Sequence, residues 1–383
     1  MFHIPKLLYL LRTSACYLST RLKDFDSRMR LCLQSITNCS LDERSFSQAT
    51  LPVKFGGLGV RRAEDISLPA FVASSTSTAS IVNNLLSNLN AAPFTTALSD
   101  AVLSWREIDS RLSEPLPPVS GLQKSWDNPV AEVKYNSLLE HAPTEVGRSR
   151  LLAVGAPYAG AWLNAVPVPS LGLKLDNESL RISIALRLGA KLNLSYICTC
   201  GTAVEDSATH GLDCRRAVGK HARHYEVNNI LHRALRAAGT PSILEPVGMS
   251  RNDGKRPDGA TLIPWKQGKC LVWDFTCVNT LARSHLARSS AQAGLPSSDA
   301  EDKKIKKYDS LGNNYLFTPI AIETLGPWGP KATTFVSEVG RRLSVATGDP
   351  RSTAFLRQQI GIAVQRGNAM CITGSYPSGG EHF

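Results

Sequence analysis

Two aspartates carry the sharpest chemical signal in this 383-residue chain. Asp258 lies in Lys255-Arg-Pro-Asp-Gly-Ala-Thr-Leu-Ile263, which reads as a short strand. Asp274 lies in Lys269-Cys-Leu-Val-Trp-Asp-Phe-Thr-Cys-Val278, a second and mostly apolar strand. Pro264–Gly268 reads as the loop between them. Centred on Lys266, a symmetric hairpin sets Asp258 eight residues before the centre and Asp274 eight after it, directly opposite on one face. Their Cβ atoms would then be about 5 Å apart. A one-residue slip would put them on opposite faces. Two carboxylates that close repel unless a hard divalent cation lies between them, which suits Mg2+ or Mn2+. A metal held this way can activate water and neutralise charge developing on a phosphodiester.

A lysine usually assists such chemistry. The same-face position two residues after Asp274 is Thr276, which cannot do so. A downstream run, Lys303, Lys304, Lys306, Lys307 and Tyr308, supplies candidates. If Tyr308, Leu311 and Tyr315 form the inward stripe of a helix, Lys304 falls within it and Lys307 at its edge, while Lys303 and Lys306 point away. A solvated lysine face is the rival reading. Glu323, in an apolar strand-like run, and Glu226, at the edge of a helical stripe, are further possible ligands. A sheet-edge residue accounts for Glu323 equally well.

A second chemistry belongs to sulfur. Cys198-Thr-Cys200, His210 and Cys214 place four soft ligands within 17 residues, a set that suits a closed, structural, tetrahedral Zn2+ site. Gly201 provides the tight turn after the second cysteine. Buried cysteines beside an unrelated histidine are the alternative. Four protein ligands leave no open position for water, which argues against a zinc hydrolase. Nine cysteines in all, an odd number and otherwise scattered, fit a reducing compartment with one metal site. Nine Lys/Arg against three acids occupy the stretch from Arg215 to Arg256. Arg215, Arg216, Lys220, Arg223, Lys255 and Arg256 are therefore the candidate nucleic-acid contacts, with a solvated helix face as the alternative.

These groups need a scaffold. Val227, Ile230, Leu231, Ala234, Leu235 and Ala238 recur at helical spacing, and Gly239 and Pro241 stop the helix. His224 falls on the same stripe and reads as a packed core histidine. Ser298-Asp-Ala-Glu301 has the form of a capping box for the lysine helix. Residues 178–192 and Phe355–Ala369 read as helices; the sequence assigns the latter no role. Residues 1–100 read as mostly helical, broken by a turn at Gly56, Gly57 and Gly59. That turn lacks the Lys-Ser/Thr of a phosphate loop. Leu112–Gly121 is a Pro-rich linker. The fold class is mixed α/β: a helical N-terminal half, a small zinc knuckle, and a mixed sheet flanked by helices. At 43% hydrophobic and 20% charged residues the chain is globular. Its net charge of +11 favours a polyanionic partner, although a merely basic protein has the same balance. The apolar run Leu7–Leu11 is too short for a signal segment, and an intracellular, nuclear protein is expected.

Pro257-Asp258 followed by Asp274 resembles the PD-(D/E)xK restriction-like nuclease fold. With the Cys-x-Cys, His, Cys cluster upstream and Lys-x-x-Lys-Tyr downstream, the chain resembles the C-terminal part of a non-LTR retrotransposon polyprotein. Tyr9–Ser14, Phe25-Asp26 and Leu51–Arg61 are similar to the thumb-like helices that come after the polymerase domain of such elements. The resemblance implies thumb-like helices over 1–100, a connector over 101–180, a zinc knuckle over 181–220 and a restriction-like endonuclease over 221–383. It makes Asp258 and Asp274 the metal ligands, and it moves the catalytic lysine to Lys304 or Lys307 on the next helix. It implies Mg2+- or Mn2+-dependent nicking of double-stranded DNA, with element RNA as a further partner. No Tyr/Phe-x-Asp-Asp polymerase motif is present, so polymerase activity is not expected. A catalytically inactive, zinc-containing nucleic-acid-binding remnant is the alternative.

Overall fold

The apolar stripe from Val227 to Leu235 is buried along its length, and the helix that carries it organises the C-terminal part of the protein. The computed structural model describes residues 4–86, 92–112, 122–192, 195–249, 256–311 and 314–376. Apart from Leu112, the Pro-rich linker lies outside the described residues, as does Lys255. The chain divides into two units, Met1–His141 and Ala142–Phe383.

The first unit contains α1 (Ile4–Thr13), α2 (Arg21–Thr37), α3 (Glu43–Ala49), α4 (Ala63–Leu85), α5 (Ala92–Glu107) and α6 (Gln123–Glu140). Its core packs Leu68, Phe71 and Val72 of α4 with Trp105 of α5 and Trp126 and Val130 of α6. The two indoles meet edge to face at 4.9 Å, an arrangement favoured by their quadrupoles. Asp26, 2% exposed, takes the amides of Ala63 and Glu64 at 2.8 and 3.0 Å. A helix start carries free N–H groups, so this buried carboxylate caps α4 from a distant helix. Gly56 and Gly59 have positive φ. A Cβ at Gly57 would approach the Leu51 carbonyl oxygen to 1.9 Å, so the glycine-rich segment is a close-packed turn. Within the segment 101–180, α6 belongs to the first unit and the chain from Ala142 onward to the second.

The second unit begins with α7 (Glu145–Val154) and α8 (Asn177–Leu188), a helix shorter than the one expected to residue 192 because Gly189 ends it in the left-handed conformation. Next come β1 (Tyr196–Ile197), β2 (Ala203–Val204), α9 (His210–Asp213), α10 (Gly219–Ala237), β3 (Ser242–Leu244), β4 (Gly259–Thr261) and β5 (Leu271–Val278). The remainder is α11 (Leu286–Ala291), α12 (Leu295–Lys307), β6 (Leu316–Glu323), α13 (Pro330–Thr347) and α14 (Ser352–Thr373). The main sheet runs β3-β4-β5-β6, antiparallel up to β5 and parallel from β5 to β6. The parallel step requires a crossover, and α11 and α12 supply it. Leu271, Trp273 and Phe275 of β5 join Ile320 and Ile322 of β6 against α10, α13 and α14. Strand alternation sends Asp274 to the other face, toward α12. Fold class is thus mixed α/β, with a helical first unit and a small mixed sheet flanked by helices.

α12 begins four residues before the position at which the capping box places it. Its N-cap is Gly294, with Pro296 in the first turn. Glu301 is buried and accepts the amides of Lys331 and Ala332 at 2.9 and 2.8 Å. It therefore caps α13, and burial raises its pKa. None of the described helices is long and apolar enough to cross a membrane.

Candidate functional site

The sulfur cluster forms from local chain geometry. Gly201, at φ +90°, turns the chain after Cys200, and the β1–β2 hairpin pairs Tyr196 with Val204. α9 then presents His210 at its start, and Cys214 comes just after its end. The four ligand atoms of Cys198, Cys200, His210 and Cys214 lie within 4.8 Å of one another. Cys198 Sγ is 3.6 Å from Cys214 Sγ, and Cys200 Sγ is 3.2 Å from His210 Nε2. Two thiolates bound tetrahedrally to one zinc ion are about 3.8 Å apart, so this cluster can hold Zn2+. Cys198 and Cys214 are buried, and burial raises the Cys214 thiol. Cys200 is exposed, and its contacts with Thr202 lower its pKa to about 6. The knuckle sits tightly on α14: a Cβ at Gly211 would come within 2.8 Å of Ile372 Cα, and one at Gly219 within 2.5 Å of the Cys371 amide nitrogen.

The carboxylate site needs four separate segments. Gly259 pairs with Trp273 and Ala260 with Val272, the register that a hairpin centred on Lys266 demands. Asp258 directly precedes β4, and its amide donates to the Trp273 carbonyl at 3.0 Å. Its Oδ2 accepts the amide of Phe275 at 2.6 Å. That amide belongs to the peptide that links Asp274 to Phe275, so the two aspartates sit at adjoining points of one strand pair. Asp274 is only 4% exposed. A buried carboxylate needs a cation, and Lys304 Nζ of α12 donates to Asp274 Oδ1 at 2.5 Å.

Lys307 does not share that role. It lies over the Tyr308 ring, 4.8 Å from its centroid. Tyr308 is buried against Phe317 and donates to the Arg256 carbonyl at 3.2 Å. Lys303 and Lys306 are exposed.

His224 corrects the sequence reading. It is partly exposed rather than a packed core residue, and its Nε2 lies 3.1 Å from Asp258 Oδ2. The Asp258 hydrogen bond raises its pKa, and both aspartates contribute charge. Helical periodicity put His224 on the inward stripe, but only the tertiary fold brings Asp258 to it.

Glu226 is not brought to the aspartates. It pairs with Arg233 at 3.6 Å and lines a shallow groove with Leu171 and Arg366. Glu323 sits opposite Val278, four residues beyond Pro319, the partner of Asp274. It is fully buried, contacts Ser297 at 3.3 Å, and burial raises its pKa to about 7.

Among the expected nucleic-acid contacts, Arg215, Arg216 and Arg256 are exposed. Arg216 donates to the Thr199 carbonyl at 2.5 Å, and Arg256 pairs with Glu245. Lys220 is half-buried and donates to the Asp213 carbonyl at 3.0 Å. Arg223, in contrast, is 4% exposed and lies within the fold rather than on the outer basic surface. No protein-family model matches the chain, and no curated protein does.

Proposed function

We propose that the second unit is the restriction-like, divalent-metal-dependent DNA endonuclease of a non-LTR retrotransposon polyprotein. Residues 1–100 are then its thumb-like region, and the Cys/His cluster its structural zinc knuckle. The observation that carries this reading is Lys304 at 2.5 Å from buried Asp274, with Asp258 bonded to the next peptide of the same strand. Two carboxylates on paired strands are hard oxygen donors of the kind Mg2+ or Mn2+ takes. Asp258 and Asp274 would hold such a metal, which would supply an activated water and neutralise charge on the phosphodiester. Lys304 is stationed to hold a phosphate oxygen beside Asp274, where charge develops. His224 orients the Asp258 carboxylate by fixing Oδ2. The exposed Arg215, Arg216 and Arg256 border this region in sequence and suit the phosphate backbone of double-stranded DNA.

The rival is a nucleic-acid-binding remnant without cleavage. It is favoured by the protein partners that both carboxylates already have: Phe275 and His224 for Asp258, and Lys304 for Asp274.

The deciding experiment incubates the full chain with supercoiled plasmid and Mg2+ or Mn2+, alongside Asp274→Ala. The nuclease reading expects nicking by the wild type that Asp274→Ala abolishes. Nicking by both would assign the activity elsewhere. Absence of nicking by a folded, zinc-loaded wild type would leave the binding remnant.

A further inference from the structure

Arg223 is set apart from the other expected nucleic-acid contacts by its burial. The stem of Arg223 lies against α14, where a Cβ at Gly367 would approach Arg223 Cβ to 2.4 Å. Its Nη1 donates to Asn368 Oδ1 at 2.5 Å, and Asn368 Nδ2 donates onward to the Thr324 carbonyl at 2.7 Å. The guanidinium is therefore held in a fixed orientation. Its Nε is buried and has no hydrogen-bond partner among the described residues. Among the described residues no carboxylate forms an ion pair with it. An arginine cannot shed its proton to escape this cost, and a buried charge without a counter-ion is strongly unfavourable.

The same side chain lines a cleft of about 420 Å³, a volume within the range of ligand sites. Lys220, His221, Thr276 and Asn279 share the lining, and His224 borders both this cleft and Asp258. One carboxylate, that of Asp213, also borders it. Asp213 is exposed, and its backbone carbonyl takes the Lys220 ammonium. A fixed fork of N–H donors with an ammonium and an imidazole at one wall is a donor set that recognises a tetrahedral oxyanion.

We propose that this cleft is a phosphate site. It takes a backbone phosphate of the bound nucleic acid next to the strand position that faces Asp258 and Asp274. Arg223 forms its fixed floor, and Lys220 and His221 line its wall. The source of the phosphate rests on the nuclease reading; the anion chemistry does not.

The test is made without divalent metal, so that it does not depend on cleavage. Binding of a fluorescent DNA duplex to the full chain is tracked by anisotropy across a series of KCl concentrations. Arg223→Met is expected to weaken binding about tenfold. It should also lower the slope of log K against log[KCl] by about 0.9, the value for one lost phosphate contact. The double variant Lys220→Ala/His221→Ala should act in the same direction and carries the test if Arg223→Met does not fold. Lys303→Ala, outside the cleft, should leave the site unaffected. Unchanged affinity and slope in the cleft variants overturn the proposal. A parallel thermal unfolding series with inorganic phosphate at constant ionic strength distinguishes the ligand sources. Stabilisation by phosphate that the variants lose, with DNA binding unchanged, would mean a free-phosphate site and would refute the backbone assignment.

Discussion

The sulfur cluster and the carboxylate pair lie in the same unit but are built on different scales. Cys198, Cys200, His210 and Cys214 span 17 residues, and one hairpin with one short helix brings them within 4.8 Å. Asp258, Asp274, His224 and Lys304 come from a strand pair and two helices, and they meet only once the sheet is covered on both faces. The comparison teaches that the Cys/His cluster can order before the core does, because closing short loops costs little entropy. The carboxylate site is a product of the core. Its buried charge is tolerated because α12 delivers an ammonium to it.

Chelation, or Cys198→Ser, is the strongest way to test this separation. Structural zinc contributes about 10–16 kcal/mol in small domains. Loss of the metal is expected to unfold the knuckle and open Arg215 and Arg216 to trypsin, with slow amide exchange retained in β5. Zinc content and peptide-resolved exchange check this; collapse of β5 exchange would show that the two sites are not separable.

Lys304→Met should come next in size. It leaves Asp274 buried without a cation, a loss of about 3–5 kcal/mol in denaturant unfolding, whereas Lys304→Met/Asp274→Leu should recover most of it. A single-variant cost no greater than that of an exposed pair would contradict the buried-pair account.

Glu323 sharpens the comparison as a buried acid that the site does not recruit. Burial raises its pKa to about 7 from 4.5. The folded state therefore holds a proton that the unfolded chain loses above 4.5. The stability that this proton contributes is complete below pH 4.5 and disappears as pH rises through 7. A shift of this size corresponds to about 3 kcal/mol. Glu323→Gln should flatten that part of the pH–stability curve and be the more stable protein at pH 8. A parallel pair of curves would show that Glu323 is ionised in the fold.

The smallest effect belongs to His224→Gln. The His224 side chain is 44% exposed, so solvent screening holds the loss of its Asp258 contact below about 1 kcal/mol. A loss comparable to that of Lys304→Met would make His224 structural.

Much of this arrangement was legible in the residues. The spacing of Val227 to Leu235 marked α10, the apolar run with one acid marked β5, and equal distances from Lys266 matched the observed register. Helical phase separated Lys304 from the exposed Lys303 and Lys306. Partner choice was less legible. Glu301 reads as a cap for its own helix yet caps α13. His224 reads as core yet meets Asp258. Arg223 reads as surface yet lies beneath α14.

By itself, the sequence determined what is local and periodic: the four soft ligands, the helix and strand faces, and the hairpin register. These come from chain geometry within one or two elements. Only the tertiary structure decided which charge meets which. Crossover connections bring together residues 30 or more positions apart, such as Lys304 with Asp274 and Arg223 with Asn368. Burial then makes each of those pairings obligatory, because a charge or hydrogen-bonding group without a partner costs more inside the protein than in water.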